Sequence, residues 1–497
     1  MGDGGWVWPI PHSPLPITNE MIRRTKIVAT LGPSSNDPKV LDSLIEAGVD
    51  VVRLNFSHGT PEEHIARAEM VRSLARARGR AVGVLVDLQG PKIRIGKFEQ
   101  GKITLNNGDD FILDADCELG NQTRVGLDYK DLPKDVKRGS TLLLDDGRIV
   151  MWVEKVRGNE ILCKIRQGGV LSNNKGINRQ GGGLSAAALT DKDKEDIRTA
   201  AELKADYIAV SFPRNAADMI LARELLTAAG GHGLLVAKIE RAEAIPALAE
   251  ILDASDVIMV ARGDLGVEVG DAAVPALQKR MIRMARERNK LAITATQMME
   301  SMITSPIPTR AEVSDVANAV IDGTDAVMLS AETAAGQYPV EAVQAMNRVC
   351  REAEKEIEAS PASMRMSRNF GSIDESIALA ASYTANHMNV KAIAALTQSG
   401  STALWMSRIS TSVPIYALTP QVDTRRKVTL FRGVYPINFK MFTHDPELLL
   451  REAEDELRRR GAVRDGDLIV LTIGEPIGKA GGTNTMKIVK VGEHRKA

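Results

Sequence analysis

Several charged residues fall where a strand would end. In "AKIE" (237–240), Lys238 and Glu240 are two residues apart, so in a strand both side chains share a face. In "ARGDLG" (261–266), a glycine and an acid follow an apolar run, and a turn there would offer the N–H groups of Gly263 and Asp264 to a small anion. Glu240 and Asp264 make a carboxylate pair that suits Mg2+, with Mn2+ as a substitute, because such an ion takes its remaining ligands from water and substrate. A lysine beside that metal can neutralise a transferring phosphoryl group or an enolate oxygen. A plain structural Lys–Glu ion pair is the competing reading. In "VVRLNFSHG" (51–59), Arg53, Asn55 and Ser57 read as an oxyanion clamp with neutral oxygens fit for a hard cation. His58 follows in a loop, where a lone histidine is more often structural. In "VLVDLQGPKIRIG" (84–96), Asp87 ends an apolar run and Lys92 and Arg94 lie just beyond Gly90–Pro91. A carboxylate buried there needs a cation to meet it.

These residues need a frame. Eight nearly continuous apolar runs, at 25–32, 49–57, 81–88, 206–212, 233–240, 256–264, 291–298 and 325–333, alternate with helical patterns. Such runs fit strands buried on both faces of a parallel sheet. Asp37–Pro38 opens a helix that Gly48 closes, and Thr60–Pro61–Glu62–Glu63 reads as a capping box. Eight β/α units predict a (β/α)8 barrel with its site on the C-terminal strand ends. Those ends supply Arg53, Asn55, Ser57, Asp87, Lys238, Glu240, Asp264, Thr296 and Glu332. Any one of them could be a satisfied core polar group or a cap; so many on one rim favour a site.

The rhythm breaks over 91–187, where short alternating segments with turns "NNGD", "DDGR" and "RGNE" predict a small β-barrel domain inserted as a lid. The expected organisation is an N-terminal extension at 1–21, a barrel over 22–90 and 188–357, the inserted β domain over 91–187, and a C-terminal α/β domain over 358–497. The first twenty residues lack the charged and apolar regions of a signal peptide and read as a poorly ordered extension that docks by its tryptophans.

Lys+Arg and Asp+Glu are equal at 64 each, so no charge excess argues for a nucleic acid or a membrane surface as partner. Cys117, Cys163 and Cys350 form no CxxC, which fits a reducing, cytoplasmic setting. No apolar run is long enough to span a bilayer.

"TKIVATLGPSS", "VVRLNFSHG", "DLQGPKIR", "NNKGIN", "AKIERAEAI", "IMVARGDLGVEV" and the long run "ITATQMMESMITSPIPTRAEVSDVANAVIDGTDAVMLSAETAAGQYP" together resemble the bacterial branch of the pyruvate kinases over residues 22–497. The resemblance implies transfer of the phosphoryl group of phosphoenolpyruvate to ADP, giving pyruvate and ATP, by a cytoplasmic homotetramer. It implies that Arg53 grips the phosphoryl group and that Lys238 stabilises it in transit along with the enolate left behind. It places Mg2+ on Glu240 and Asp264. The substrate carboxylate would rest on Gly263, Asp264 and Thr296, with Thr296 also placing the water that protonates the enolate. Asn55, His58, Arg94 and Lys175 would meet the nucleotide. Asn55, Ser57, Asp87 and the Leu88 carbonyl correspond to the family's monovalent-cation pocket.

Family members that need K+ usually carry Glu five residues after that aspartate, and here Lys92 stands there. A built-in ammonium partnering the Asp87 pocket would replace K+, so activity without K+ is expected. In "LTQSGSTA", Thr397, Ser399, Gly400, Ser401 and Thr402 could cup a phosphate, the place where the family binds a phosphorylated activator; a Ser-rich helix cap is the alternative. The loop "GEPIGKAGGTN" lacks the Trp and Arg of sugar-bisphosphate receptors, favouring a monophosphate effector such as AMP, ribose 5-phosphate or a hexose monophosphate. Two other readings remain at this point: a pyruvate-handling aldolase or lyase, and a catalytically dead metabolite sensor.

Overall fold

The computed structural model describes residues 22–357, 370–409, 411–441, 443, 445–477 and 481–493. The extension expected at 1–21 and most of the linker expected after residue 357 lie outside the described residues.

All eight apolar runs become parallel strands of one closed barrel: Lys26–Thr30, Val51–Asn55, Gly83–Asp87, Tyr207–Val210, Leu234–Ile239, Val257–Ala261, Leu291–Ala295 and Ala326–Leu329. Most are buried along their whole length, as continuous Val, Ile, Leu and Ala demand. The helix caps act as read. Asp37 accepts the Lys39 N–H at 2.8 Å, Gly48 closes that helix at φ 117°, and Thr60 and Glu63 form the capping box. The strands stop earlier than their apolar runs. The sixth ends at Ala261 because the helix Arg262–Val269 starts at once, so "ARGDLG" opens a helix instead of a turn.

Between the third and fourth strands the chain builds a six-stranded sheet and two small two-stranded sheets around one apolar cluster. Its hairpin Ile149–Arg157/Glu160–Gln167 turns at Gly158, whose φ of 56° suits glycine. The C-terminal segment forms a five-stranded sheet with four parallel strands and an antiparallel last one, Thr483–Lys490. The strand Val434–Asn438 and the helix Val422–Lys427 are not apparent from pattern alone. Pro436 weakens the strand signal and is tolerated because the strand lies at the sheet edge.

One apolar cluster joins the inside of the barrel, Val28, Val51, Leu85 and Tyr207, to Ile393, Ala417, Val428 and Val434 of the C-terminal segment. That end of the barrel is closed by packing. The C-terminal strand ends, on the other side, hold the polar residues.

Candidate active site

Neighbouring strands place Asn55 in register with Asp87, so residues of the second and third strands reach the rim together. Arg53 donates to Asp87 Oδ2 from Nε at 2.6 Å, and its Nη2 lies 2.6 Å from the same oxygen. Its Nη1 donates to the Thr30 hydroxyl at 3.1 Å. Lys238 Nζ lies 3.2 Å from Asp87 Oδ1 and 2.9 Å from Glu240 Oε1, and donates to Ser211 Oγ at 2.8 Å. Lys238 and Glu240 therefore do form the ion pair of the simpler reading, but inside a larger cluster of alternating charge.

The cluster is buried, with Asp87 and Glu240 side chains at 1% and 2% exposure. Burial alone would push the Asp87 carboxyl up, yet Lys238 and Arg53 outweigh it and hold the group below its ordinary value. Burial likewise works against the Lys238 ammonium, but Asp87 and Glu240 keep it charged well beyond its usual range. Glu240 responds differently. Its burial pushes the carboxyl up to about 7 despite Lys238, and the charges of Asp264 and Asp87 add to the rise. A carboxylate destabilised by a second carboxylate is a donor set that a divalent cation would relieve, so Glu240 and Asp264 fit Mg2+. Among the described residues no group of three or more His, Cys, Asp or Glu gathers as a metal site, so a cation here must complete its shell with water and substrate oxygens.

Lys92 is not the partner of Asp87. Among the described residues, Arg53 and Lys238 fill that role, while Lys92 is exposed and its backbone N–H donates to the Gly90 carbonyl. The reason is the turn at Gly90, φ 68°, which directs the chain out of the barrel before Lys92. In the monovalent-cation set, the Leu88 carbonyl accepts the Ser211 hydroxyl at 2.7 Å, and the Asn55 side-chain oxygen accepts the Ser57 N–H at 3.1 Å. His58 is exposed; the buried histidine nearby is His64, in the helix Pro61–Ala77 that follows the loop, stacked on Phe56.

The sixth and seventh strand ends are laced together. Gly263 N–H, in the first turn of Arg262–Val269, donates to Thr296 Oγ1 at 2.9 Å, and that hydroxyl donates to the Ala295 carbonyl at 2.6 Å. Thr296 and Gln297 have φ of 68° and 53°, uncommon for any side chain and most costly for the β-branched Thr296, and confined to places that neighbours enforce. Arg262 enforces it here, reaching the Ala295 and Thr296 carbonyls at 3.1 and 2.5 Å and Asp315 at 2.7 Å. Asp264 is half-buried in the same helix turn. Glu332, expected at the rim, is instead a buried anchor, accepting N–H groups of Met299 at 3.1 Å and Ser330 at 2.6 Å. The simpler reading holds for that residue.

In the insertion, an antiparallel bridge between Arg94 and Gly176 brings Arg94 and Lys175 together. Arg94 donates to the Asn174 carbonyl at 3.2 Å and Lys175 pairs with Asp145 at 2.7 Å. The insertion leans on the barrel rim through Gly181 N–H to the Glu268 carbonyl, 3.0 Å, and Arg214 to the Ser185 carbonyl, 3.1 Å.

In the C-terminal segment, Thr397 and Thr402 line a pocket with Gln398, Met441, Gly481 and Thr483. Ser399, Gly400 and Ser401 stand outside that lining because their loop satisfies itself. Gly400 N–H donates to Thr397 Oγ1 at 2.9 Å and Ser401 N–H to Ser399 Oγ at 3.4 Å.

Two residues central to the site escape sequence reasoning. Ser211 looks like an ordinary small residue within "AVSF", and only its position at the end of the fourth strand marks it. Arg262 is overshadowed by the Gly–Asp that follows it.

Family models of the pyruvate kinase barrel domain and the pyruvate kinase alpha/beta domain match residues 22–343 and 375–489. The chain is 53% identical over 476 residues to pyruvate kinase II of Salmonella typhimurium, covering 95% of this chain and 99% of that one. It is 54% identical over 459 residues to a pyruvate kinase of Haemophilus influenzae, covering 91% and 96%. A crystal structure of a pyruvate kinase from Cryptosporidium parvum superposes with a TM-score of 0.88 at 36% identity, covering 94% of this chain and 96% of that one.

Proposed function

The chain belongs to the pyruvate kinase family and carries its activity, transfer of the phosphoryl group of phosphoenolpyruvate to ADP, and we propose that the charge cluster around Asp87 performs it. The observation that supports this most is the convergence of Arg53, Lys238, Asp87 and Glu240 at the strand ends, each within 3.2 Å of a partner of opposite charge. Phosphoryl transfer needs positioning and charge neutralisation more than covalent help. Arg53 binds the phosphoryl oxygens from one side. Lys238 meets them from the other and remains to neutralise the enolate oxygen as the leaving group forms. Glu240 and Asp264 hold Mg2+, for which Mn2+ can substitute, and the bound ion supplies further charge neutralisation at the phosphoryl and enolate oxygens. The Gly263 and Asp264 N–H groups and the Thr296 hydroxyl seat the substrate carboxylate, which displaces the present Gly263–Thr296 contact, and Thr296 positions the protonating water.

Arg94 and Lys175 approach the nucleotide phosphates with Asn55 and His58 when the insertion closes over the rim, excluding water that would hydrolyse the donor. Residues 91–187 are that lid, the flanking segments 22–90 and 188–357 the catalytic domain, and 358–497 a regulatory domain. A phosphorylated effector, a monophosphate, binds at the pocket lined by Thr397 and Thr402, with Ser399, Gly400 and Ser401 of the same loop contributing to its recognition. Asn55, Ser57, Asp87 and Leu88 form the monovalent-cation pocket, whose K+ requirement Lys92 removes. The working form is a cytoplasmic homotetramer.

A coupled assay with phosphoenolpyruvate, ADP and Mg2+ tests the central reading. Turnover is expected, and none, with Mn2+ and monophosphate effectors also supplied, would reject it. A lyase has no nucleotide to clamp, and a dead sensor has no use for an intact Lys238–Glu240 pair.

A further inference from the structure

The Lys238 ammonium has three N–H donors and three acceptors: Ser211 Oγ at 2.8 Å, Glu240 Oε1 at 2.9 Å and Asp87 Oδ1 at 3.2 Å. To meet a phosphoryl oxygen it must release one of them. Two are carboxylates in a buried cluster, where losing a charge–charge contact is costly. The third is a neutral hydroxyl, whose release forfeits an ordinary hydrogen bond. Ser211 is the partner that can be exchanged.

Its own place is firmly held. Ser211 is 1% exposed, and its hydroxyl proton goes to the Leu88 carbonyl at 2.7 Å, with Asp87 Oδ1 a more distant 3.4 Å away. Phe212, the next residue, has φ 56°, uncommon for an aromatic side chain, and donates its N–H to Glu240 Oε2 at 2.9 Å. Two consecutive residues after the fourth strand thus hold both members of the Lys238–Glu240 pair. Across from them, a Cβ on Gly90 would lie 2.7 Å from the Ser211 Cβ, so the turn where the chain leaves for the insertion packs directly on this support.

We propose that Ser211 is a positioning residue for the phosphoryl transfer. Its oxygen holds the third N–H of Lys238 while the site is free of substrate and yields it to the phosphoryl oxygen when substrate binds. This rests on the reading of Lys238 as the group that meets the phosphoryl oxygens.

Steady-state kinetics of Ser211→Ala, Lys238→Arg and the double variant, with thermal midpoints, test it. Ser211→Ala removes a contact that the substrate-bound enzyme has already given up, so kcat and the KM for ADP should stay within about twofold of the parent while the KM for phosphoenolpyruvate falls about tenfold, with the midpoint confirming that the variant folds. In the Lys238→Arg background, where no ammonium remains to be held, the same change should move that KM less than about twofold. A KM for phosphoenolpyruvate unchanged or raised in Ser211→Ala, an undiminished tenfold fall in the double variant, or a kcat lowered more than about twofold would overturn it. If Ser211→Ala does not fold, Ser211→Cys carries the same expectations, since sulfur is a weak acceptor. Absence of turnover in the parent enzyme would instead discard the reading of the reaction itself.

Discussion

Arg408 and Asp325 form an ion pair in which both side chains are fully buried. Arg408 Nη1 lies 2.9 Å from Asp325 Oδ2 and donates to the Lys290 carbonyl at 2.7 Å, while the same aspartate oxygen accepts the Ala292 N–H at 2.9 Å. Arg408 ends the short helix Ser401–Ser407, and Asp325 directly precedes the eighth barrel strand. The pair therefore pins the C-terminal segment to the closed end of the barrel. Arg408→Met should leave Asp325 buried without its partner and destabilise by about 3–5 kcal/mol. Adding Asp325→Asn should recover part of that loss, since the amide oxygen can still accept the Ala292 N–H. Thermal unfolding of both variants checks this, and a double variant no better than Arg408→Met would show that the charge pair is not what matters.

Thr296 is held in a left-handed conformation with its hydroxyl 2.9 Å from the Gly263 nitrogen. If that hydroxyl seats the substrate carboxylate and the protonating water, Thr296→Ala should lower kcat by about 10²-fold, in the range of losing one preorganised polar group. Thr296→Ser keeps the oxygen and relieves the β-branched strain, so its kcat should stay within a fewfold of the parent. Equal losses in the two variants would point to the backbone rather than the hydroxyl.

Glu268 is buried beneath the insertion, accepting the Ala242 N–H at 2.8 Å, and its burial pushes the carboxyl up to about 7 with Glu243 adding to the rise. An unfolded carboxyl titrates near 4.5. Folding therefore favours the protonated form; the stability this brings is complete below about pH 4.5 and lost as pH rises through about 7, on the order of 3 kcal/mol by about pH 8. Glu240 acts in the same direction when no cation is bound. Glu268→Gln should flatten the fall in thermal midpoint between about pH 5 and 8. An unchanged slope would assign the pH dependence to other groups.

Residues announce their place in the sequence when their environment is set by the chain nearby. The barrel strands were legible because strands covered on both faces are continuously apolar, and the rim charges because a carboxylate or ammonium at such an end stands out. Ser211 has no such contrast, and its importance arises from Lys238 and Leu88, which meet it only in the closed barrel. Arg262 depends on Asp315, which another helix supplies. The partner of Asp87 was misassigned for the same reason: Lys92 is near in sequence, but the barrel brings Arg53 and Lys238 nearer in space.

That misassignment changes how Lys92 must act on monovalent-cation dependence. Asp87 already holds Arg53 and Lys238, and the Leu88 carbonyl holds Ser211, so those two members of the pocket are engaged by other groups and not by Lys92. Lys92, exposed and without contact to Asp87, can contribute only a through-space positive potential at the rim. Such a field opposes a bound K+ and is screened by salt, so comparisons must be made at constant ionic strength. Turnover in tetramethylammonium buffer should stay within about twofold of that in KCl. Lys92→Glu reverses the sign of the field, and its kcat should fall on the order of tenfold without K+ and return when K+ is supplied, a shift of about 1.4 kcal/mol. A parent enzyme that loses most of its activity in tetramethylammonium would show that the cation pocket still needs its ion and that Lys92 does not replace it.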